Sequence, residues 1–329
     1  MTLALPRGRL GALAIVILAC SGCGHPAQPK VRIAVFRGEE IVPLTRALGH
    51  FAAMGLDAEI SEVASSSKAM EALLGGSVEA VSGGYDHAIR LAAEGRRIRS
   101  FAVLSVRSPL ALVASPKSSR IRSIRDLKGA TVGVSAFGSS GNFFVNLLLA
   151  KYGLTARDVH VVATGGGHAV TVSWADQGRV DAIVTLPASL SILRQRHPNL
   201  VVLANGTTPE GSRAIFGVDA YPAICLMAQA AWLEQNPGTA KQLSAAVLRT
   251  LRWIGEHSPE EFQAKLRGSA GQLEELDGLR ATIATRSLDG GMPPGGPEAV
   301  REAVAVSAPA VRSVDLKATF TDEYLATTP

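Results

Sequence analysis

The feature that most constrains the fold is a regular alternation, after Lys30, of short apolar runs rich in β-branched residues with longer amphipathic runs. This alternation predicts βαβ units and a mostly parallel sheet. The first series predicts strands at 31–36, 58–63 and 78–81, and helices at 42–54, 66–74 and 86–94. Two apolar stretches follow at 101–106 and 110–114.

A second alternating series begins after Pro116. It predicts strands at 131–135, 159–163, 181–185 and 200–203, and helices at 140–152, 168–177 and 188–196. One more strand is predicted at 223–228, and the pattern then becomes helical at 230–257, 259–266, 273–284 and 298–306. The sequence thus predicts two α/β units followed by a helical tail.

The first thirty residues have the pattern of a bacterial lipoprotein signal. Arg7 and Arg9 precede an apolar run at 10–19, and the cluster Cys20-Ser21-Gly22-Cys23 follows. This run is shorter than the roughly 20 apolar residues that a membrane-spanning helix needs. We therefore predict a cleaved signal peptide at 1–22, a tether at 23–30 and lipidation at Cys23, with Cys20 as the alternative. An ordinary secretory signal is the simpler interpretation.

Either signal places the protein outside the cytoplasm, and a lipoprotein signal would anchor it to the membrane in the periplasm or at the cell surface. About 300 residues then remain, which exceeds the usual size of a single hydrophobic core and favours two domains. A helical tail can complete the first sheet by packing on it, so the chain would cross between domains twice. We expect lobe 1 to comprise 31–110 and 221–329, and lobe 2 to comprise 111–220.

Charge, cysteine content and motifs exclude several functions. The formal net charge of +5 includes Arg7 and Arg9, and the other basic residues are scattered, whereas a nucleic-acid-binding face concentrates them. Only Cys225 follows the signal cluster, and its apolar neighbours predict a buried thiol. The sequence has no Gly-x-Ser-x-Gly or His-Glu-x-x-His motif and no phosphate-binding loop. We expect no catalytic residue, cofactor, metal or nucleic-acid partner.

Several segments resemble those of a known family. The run at 126–135, followed by Gly138-Ser139-Ser140, resembles the opening of the second domain in class II periplasmic solute-binding proteins. The segment at 72–80 is similar to the branch of ABC importers for nitrate, sulfonates and taurine, which also contains binders of thiamine pyrimidine precursors. Segments 83–90 and 315–325 resemble a less characterised subgroup. The resemblance extends from about Val31 to the C-terminus.

This resemblance implies an α/β fold of two Rossmann-like lobes, joined by a two-segment hinge, that close on a small solute. It also implies a monomer that passes its solute unaltered to a membrane permease and its ATPase, so no enzyme is expected. Two alternatives stay open. One is binding of a thiamine pyrimidine precursor or related heterocycle, as a receptor or as an enzyme of pyrimidine synthesis; the other is ligand sensing for a membrane sensor.

The candidate site lies at the carboxyl ends of the predicted strands, where open α/β sheets bind ligands. Helix starts there combine hydroxyl and glycine residues with free N–H groups that attract anions. The candidate ligand-binding residues are Ser65, Ser66, Ser67, Gly84, Tyr85 and Asp86 in lobe 1, and Ser135, Gly138, Ser139, Ser140, Gly166, Gly167, His168 and Thr185 in lobe 2. They favour a small oxyanion, such as a sulfonate, nitrate or taurine.

Each candidate also has a simpler explanation, because serine and aspartate at helix starts commonly cap N–H groups without any ligand. Tyr85 is expected to stack on a ring or to donate a hydrogen bond. Asp86 either caps its helix or binds a ligand amine, and a carboxylate in the cleft opposes a purely anionic ligand. Uncharged and zwitterionic solutes therefore stay open. Arg37 either pairs with an anion or lies in solvent.

Overall fold

The computed structural model describes Met1 and residues 29–267 and 276–325. The predicted signal peptide, the tether up to residue 28 and both candidate lipidation sites, Cys20 and Cys23, lie outside the described residues apart from Met1. None of the helices formed by the described residues has the length and hydropathy that a bilayer crossing requires.

The described residues form strands and helices in the predicted alternation. The strands are β1 (Lys30–Phe36), β2 (Asp57–Val63), β3 (Ala80–Gly84), β4 (Ile98–Ser105), β5 (Ala111–Ala114), β6 (Thr131–Val134), β7 (His160–Ala163), β8 (Ala182–Thr185), β9 (Val202–Asn205) and β10 (Ile224–Gln229). The helices are α1 (Ile41–Ala47), α2 (His50–Ala53), α3 (Ser66–Leu74), α4 (Asp86–Ala93), α5 (Ser140–Lys151), α6 (His168–Gln177), α7 (Pro187–Arg196), α8 (Pro209–Phe216), α9 (Ala230–Gln235), α10 (Pro237–Glu256), α11 (Pro259–Leu266), α12 (Leu276–Thr285) and α13 (Gly296–Ala305).

The strands assemble into two five-stranded sheets of matching topology, in the orders β2-β1-β3-β10-β4 and β7-β6-β8-β5-β9. In the first sheet β10 runs antiparallel to its neighbours β3 and β4, and in the second sheet β5 runs antiparallel to β8 and β9. The pairs of β1 with β2 and β3, and of β6 with β7 and β8, are parallel. The predicted α/β class with mostly parallel sheets is confirmed.

The first sheet takes its strands from 30–105 and 224–229, and the second from 111–205. We keep lobe 1 (31–110 with 221–329) and lobe 2 (111–220) as the proposed division of the chain. The antiparallel strand of each sheet is the one that follows a crossing between the sheets, at 106–110 or at 217–223. These two crossings form a two-segment connection between the sheets.

Three predicted elements differ from the structure. The helix predicted at 42–54 is divided into α1 and α2 at Gly49, whose φ of 71° is left-handed. The helix predicted at 230–257 is divided at Asn236, because Pro237 lacks the N–H that a continuous helix needs. The third strand extends to Gly84, beyond its predicted end. Helix α8, begun by the Thr208 side chain accepting from the N–H of Gly211, was not predicted.

Both faces of the first sheet are buried. Alternate residues of β1 point to opposite faces, so Ile33 packs in the cluster formed with α1, α2 and α10, whereas Ala34 packs in the cluster formed with α3, α4 and α13. This double burial explains why the strand is a continuous apolar run. Cys225 on β10 is fully buried, as predicted, and burial raises the pKa of its thiol to about 12.

The helical tail completes lobe 1 and also reaches lobe 2. Ser244 on α10 donates a hydrogen bond to the carbonyl oxygen of Phe101 on β4. Helix α12 packs on α7, and a Cβ atom added at Gly278 would lie 2.6 Å from the Cα atom of Ala188. Glycine is therefore required where the tail touches lobe 2. The predicted helix residues 273–275, just before α12, lie outside the described residues.

Candidate functional site

A cavity lies where the carboxyl ends of the two sheets face each other. It encloses about 100 Å³ of space in which the centre of a water molecule fits, which is room for several waters or a small organic molecule. Helices α3, α4, α5 and α6 all start at its walls. The predicted site residues that line it are Ser65, Ser66, Gly84, Asp86, Ser135, Ser139, Ser140, Gly166 and Gly167.

Side chains of α4 and the start of α5 connect the two lobes across this cavity. The Ser140 hydroxyl donates to Asp86 Oδ1 at 2.6 Å. The Arg90 guanidinium donates to the carbonyl oxygen of Gly138 at 3.0 Å and lies 3.9 Å above the ring centroid of Phe143. The walls of the cavity are therefore held together by direct polar and cation–π contacts between the lobes.

Two glycines permit this close approach. A Cβ atom at Gly84 would lie 2.1 Å from the Ser140 hydroxyl oxygen. Gly166 has a left-handed φ of 72°, and a Cβ atom there would lie 2.4 Å from the carbonyl oxygen of Ala64 in lobe 1. A larger residue at Gly84 would displace the Ser140 and Asp86 side chains, whereas one at Gly166 would clash with backbone and push the lobes apart.

The serine hydroxyls at the helix starts either cap their helices or form a hydrogen bond with histidine. Ser65 and Ser139 accept hydrogen bonds from the N–H groups of Lys68 and Asn142, which caps α3 and α5 as the simpler interpretation expects. Burial lowers the pKa of His87, whose Nε2 lies 3.0 Å from the Ser66 hydroxyl. The guanidinium of Arg90 lies 3.4 Å from Nδ1 of His87 and can only donate, so Nδ1 is the acceptor. Nε2 of His87 therefore carries the proton and donates to the Ser66 hydroxyl.

Five predicted site residues do not line the cavity. Tyr85 is fully buried in the core of lobe 1, where its hydroxyl pairs with that of Thr319 at 2.5 Å, so it cannot stack on a solute. Gly138 contributes its carbonyl oxygen to Arg90 instead. The remaining three, which hydrogen-bond within their own lobes behind the wall, are Ser67, His168 and Thr185.

His168 nevertheless supports the wall indirectly, because its Nδ1 lies 2.8 Å from the hydroxyl of Ser189, which lines the cavity. Arg37 also lies on the wall, at its edge. Its side chain is 45% exposed and pairs with Glu62 at 3.4 Å. Arg37 was expected either to pair with an anion or to lie in solvent. In the structure its side chain is partly exposed and forms an ion pair within lobe 1.

The apolar walls were not predicted. Phe216 and Tyr221 stack with ring centroids 3.8 Å apart, and Phe144 lies 6.3 Å from Phe216. The other apolar lining residues include Phe36, Pro109, Phe143, Leu147, Val184 and Leu186. Phe216 and Tyr221 flank the second crossing between the lobes. The sequence signal that could have indicated this apolar wall is the presence of aromatic residues beside a crossing between the lobes.

The charge on the walls is unequal. Asp86 is only 7% exposed and lines the cavity, whereas Arg37 is half exposed and already paired. Oδ1 of Asp86 accepts from Ser140, but Oδ2 is buried and has no hydrogen-bond partner among the residues that the structure describes. The cavity thus combines helix N-termini with one buried carboxylate. Within the described part of the chain, no group of three or more His, Cys, Asp or Glu residues is arranged to hold a metal ion.

A smaller second cavity adjoins the first and shares Phe36, Pro109, Leu186 and Ile224 with it. Glu39 lies on its wall, and its carboxyl group accepts hydrogen bonds from the N–H groups of Ile41 and Val42 at the start of α1. Burial raises the pKa of Glu39 from 4.5 to about 7, although these backbone hydrogen bonds oppose the change.

This raised pKa predicts a pH-dependent stability. The folded state holds the Glu39 proton more firmly than the unfolded chain, so the stabilisation is complete below pH 4.5 and is lost as the pH rises towards 7. Wild type should lose about 2–3 kcal/mol more unfolding free energy between pH 5 and pH 8 than Glu39→Gln does. Urea unfolding at both pH values measures this difference, and equal losses in the two proteins would contradict the assignment.

The sequence and the fold are similar to those of known proteins. The family model described as NMT1/THI5 like matches residues 42–261. The structure of a protein from Bordetella bronchiseptica RB50 is 31% identical in sequence and superposes with a TM-score of 0.85, over 91% of this chain and 96% of the other. A comparison with curated proteins returns no match.

Two more distant structures share the fold. The alkanesulfonate-binding protein SsuA of Xanthomonas axonopodis pv. citri, bound to MOPS, is 19% identical, with a TM-score of 0.69 over 88% of this chain and 95% of the other. A Candida albicans protein described as having the generic periplasmic binding protein fold is 14% identical, with a TM-score of 0.70 over 92% and 99%. The fold that the sequence resemblance implied is therefore confirmed.

Proposed function

The chain belongs to the NMT1/THI5-like family, and from this membership and its fold we propose that it is the extracytoplasmic solute-binding protein of an ABC importer. The observation that carries the proposal is the cavity between the lobes, whose walls come from the carboxyl ends of both sheets. Open α/β sheets bind ligands at these ends. A solute held there contacts both lobes at once.

The proposed mechanism is hinge closure. A solute that touches both lobes binds the closed form more tightly than the open form, and this difference in affinity shifts the population towards closure. The Asp86–Ser140 and Arg90–Gly138 hydrogen bonds then form between the lobes. A permease and its ATPase would recognise the closed form and receive the solute unaltered. The predicted lipid anchor would hold the protein, as a monomer, at the membrane.

Two other functions have less support. An enzyme that synthesises the pyrimidine by consuming its own side chains would need reactive groups at the cavity, but the Cys225 thiol is buried within β10 with a pKa of about 12. A sensing partner of a membrane sensor would use the same closure. Transport and sensing therefore differ in the protein that reads the closed form, not in this cavity.

Two classes of solute fit parts of the cavity. The starts of α5 and α6, with Ser135 and Gly167, favour an oxyanion such as a sulfonate, nitrate or carboxylate. The stacked aromatic pair Phe216 and Tyr221 favours a ring or hydrocarbon body, as in a thiamine pyrimidine precursor. Taurine, which is zwitterionic, has features of both classes.

A thermal-shift screen tests the proposed function. The panel contains nitrate, alkanesulfonates, taurine, small carboxylates and pyrimidines. A solute at 100 times its Kd adds about 2.7 kcal/mol of stability, which raises the Tm by about 4 °C in a protein of this size. The same solute should be recovered chemically unchanged. Chemical conversion of the solute by the purified protein, or the failure of all panel members and of a bacterial metabolite extract to raise the Tm, would contradict the proposal.

A further inference from the structure

The carboxyl group of Asp86 is only half satisfied. The residue is only 7% exposed, and Oδ1 accepts a hydrogen bond from the Ser140 hydroxyl at 2.6 Å. Oδ2 is buried and has no hydrogen-bond partner among the described residues. A buried carboxylate oxygen without a donor is energetically costly, and native proteins usually supply one.

Three potential donors on or near the walls of the cavity make their contacts elsewhere, and the hydroxyl of Tyr221, which lies near Asp86, makes no hydrogen bond to Oδ2. Arg90, one turn further along α4, donates to the carbonyl oxygen of Gly138 and stacks on Phe143. Ser66 accepts a hydrogen bond from Nε2–H of His87, and its own hydroxyl makes no hydrogen bond to Oδ2. Arg37 lies at the edge of the cavity and pairs with Glu62. Asp86 lines the cavity, but Oδ2 itself has almost no accessible surface, so a donor on a solute reaches it only when the carboxyl group turns towards the cavity.

The other lining residues show what else the solute must carry. Most of the remaining lining is apolar, and the stacked rings of Phe216 and Tyr221 form one side. These rings suit a hydrocarbon or aromatic body, which burial there would remove from water. The space of about 100 Å³ limits that body to a small molecule.

We infer that the solute carries an N–H donor, as a protonated amine or an amino group on a ring, and that this group binds Oδ2 of Asp86. This inference rests on the proposed function, because it assigns a group of the solute bound in the same cavity. It selects zwitterions and amino-substituted rings over nitrate, simple sulfonates and carboxylates. Asp86 then acts as the residue that determines specificity, and Ser140 orients it.

Matched pairs of probes that differ by one amino group test the inference on the full chain. The pairs are taurine with ethanesulfonate and 4-aminopyrimidine with pyrimidine, and calorimetric titration gives the Kd of each. A hydrogen bond to a charged group is worth about 1.5–3 kcal/mol, so the amino member of the pair that binds should bind about 10- to 150-fold more tightly.

Asp86→Asn should remove this preference. Asparagine keeps the size of the side chain and an oxygen that accepts from Ser140, but it presents an NH₂ donor in place of Oδ2. The control Ser140→Ala leaves Oδ2 in place, so a preference for the amino member of a pair should persist in this variant, although reduced by the loss of the hydrogen bond that orients Asp86. Circular dichroism confirms that both variants fold, and the pairs measured on wild type do not depend on that result.

The outcomes separate the inference from the function beneath it. Ethanesulfonate or nitrate binding as tightly as taurine, with affinity unchanged or raised in Asp86→Asn, would overturn the inference and leave the proposed function standing. So would a nitrogen-free solute retained from a bacterial metabolite extract and identified by native mass spectrometry. If no probe and no extract component binds, the proposed function fails, and the inference fails with it.

Discussion

Gly166→Ala is expected to abolish most solute binding while leaving both lobes folded. The added Cβ atom would lie 2.4 Å from the carbonyl oxygen of Ala64 in the opposite lobe, so the lobes cannot reach their present separation. An overpacking penalty of about 1–3 kcal/mol lowers the population of the closed form, and with it the apparent affinity, about 5- to 150-fold. Calorimetric titration with the solute that most stabilises wild type measures this loss.

Gly165→Ala is the matched control. Gly165 also has a left-handed φ, of 91°, but a Cβ atom there meets nothing within 4 Å. Both variants therefore carry similar backbone strain, of about 1–2 kcal/mol per residue, and only Gly166→Ala adds a clash between the lobes. Equal affinities for the two variants would show that closure at Ala64 does not accompany binding.

Phe101→Ala is expected to destabilise the protein by about 3–5 kcal/mol. Phe101 on β4 is fully buried and packs edge to face on Tyr324, near the C-terminus, with ring centroids 6.5 Å apart. It belongs to the same core cluster as residues of α10, so its removal leaves a cavity between the first sheet and the helical tail. Urea unfolding monitored by circular dichroism measures the loss.

Phe137→Ala provides the control for this second substitution. Phe137 is 63% exposed, so its truncation should change the unfolding free energy by less than about 0.5 kcal/mol. If Phe101→Ala cost no more than Phe137→Ala, the tail would not be an integral part of lobe 1, and the proposed division of the chain would need revision.

Much of the fold was predictable because the sheets are buried on both faces. Ile33 and Ala34 belong to different core clusters, so the strand had to be apolar throughout and stood out from the amphipathic helices around it. Helix starts were equally clear, since Ser65 and Ser139 are caps whose signal is local in sequence. Breaks such as Gly49 were less clear, because a glycine within an apolar pattern is compatible with a continuous helix.

The candidate site was predictable only in its polar half. Ser66, Asp86 and Ser140 follow strand ends, and the topology of the sheets brings such ends together. Tyr85 follows the same strand end but points into the core, because the backbone direction at a strand end decides which neighbour faces the cavity. The aromatic wall of Phe216 and Tyr221 comes from a crossing between lobes, whose packing depends on contacts distant in sequence.

The central claim is that the two lobes close on a solute held between them. Small-angle X-ray scattering of the purified protein, with and without the solute that gives the largest thermal shift, tests this most directly. We expect a smaller radius of gyration and a narrower distribution of interatomic distances when that solute is bound, and a smaller change for Gly166→Ala at a solute concentration that just saturates wild type. Identical scattering from free and solute-saturated wild type would contradict the claim.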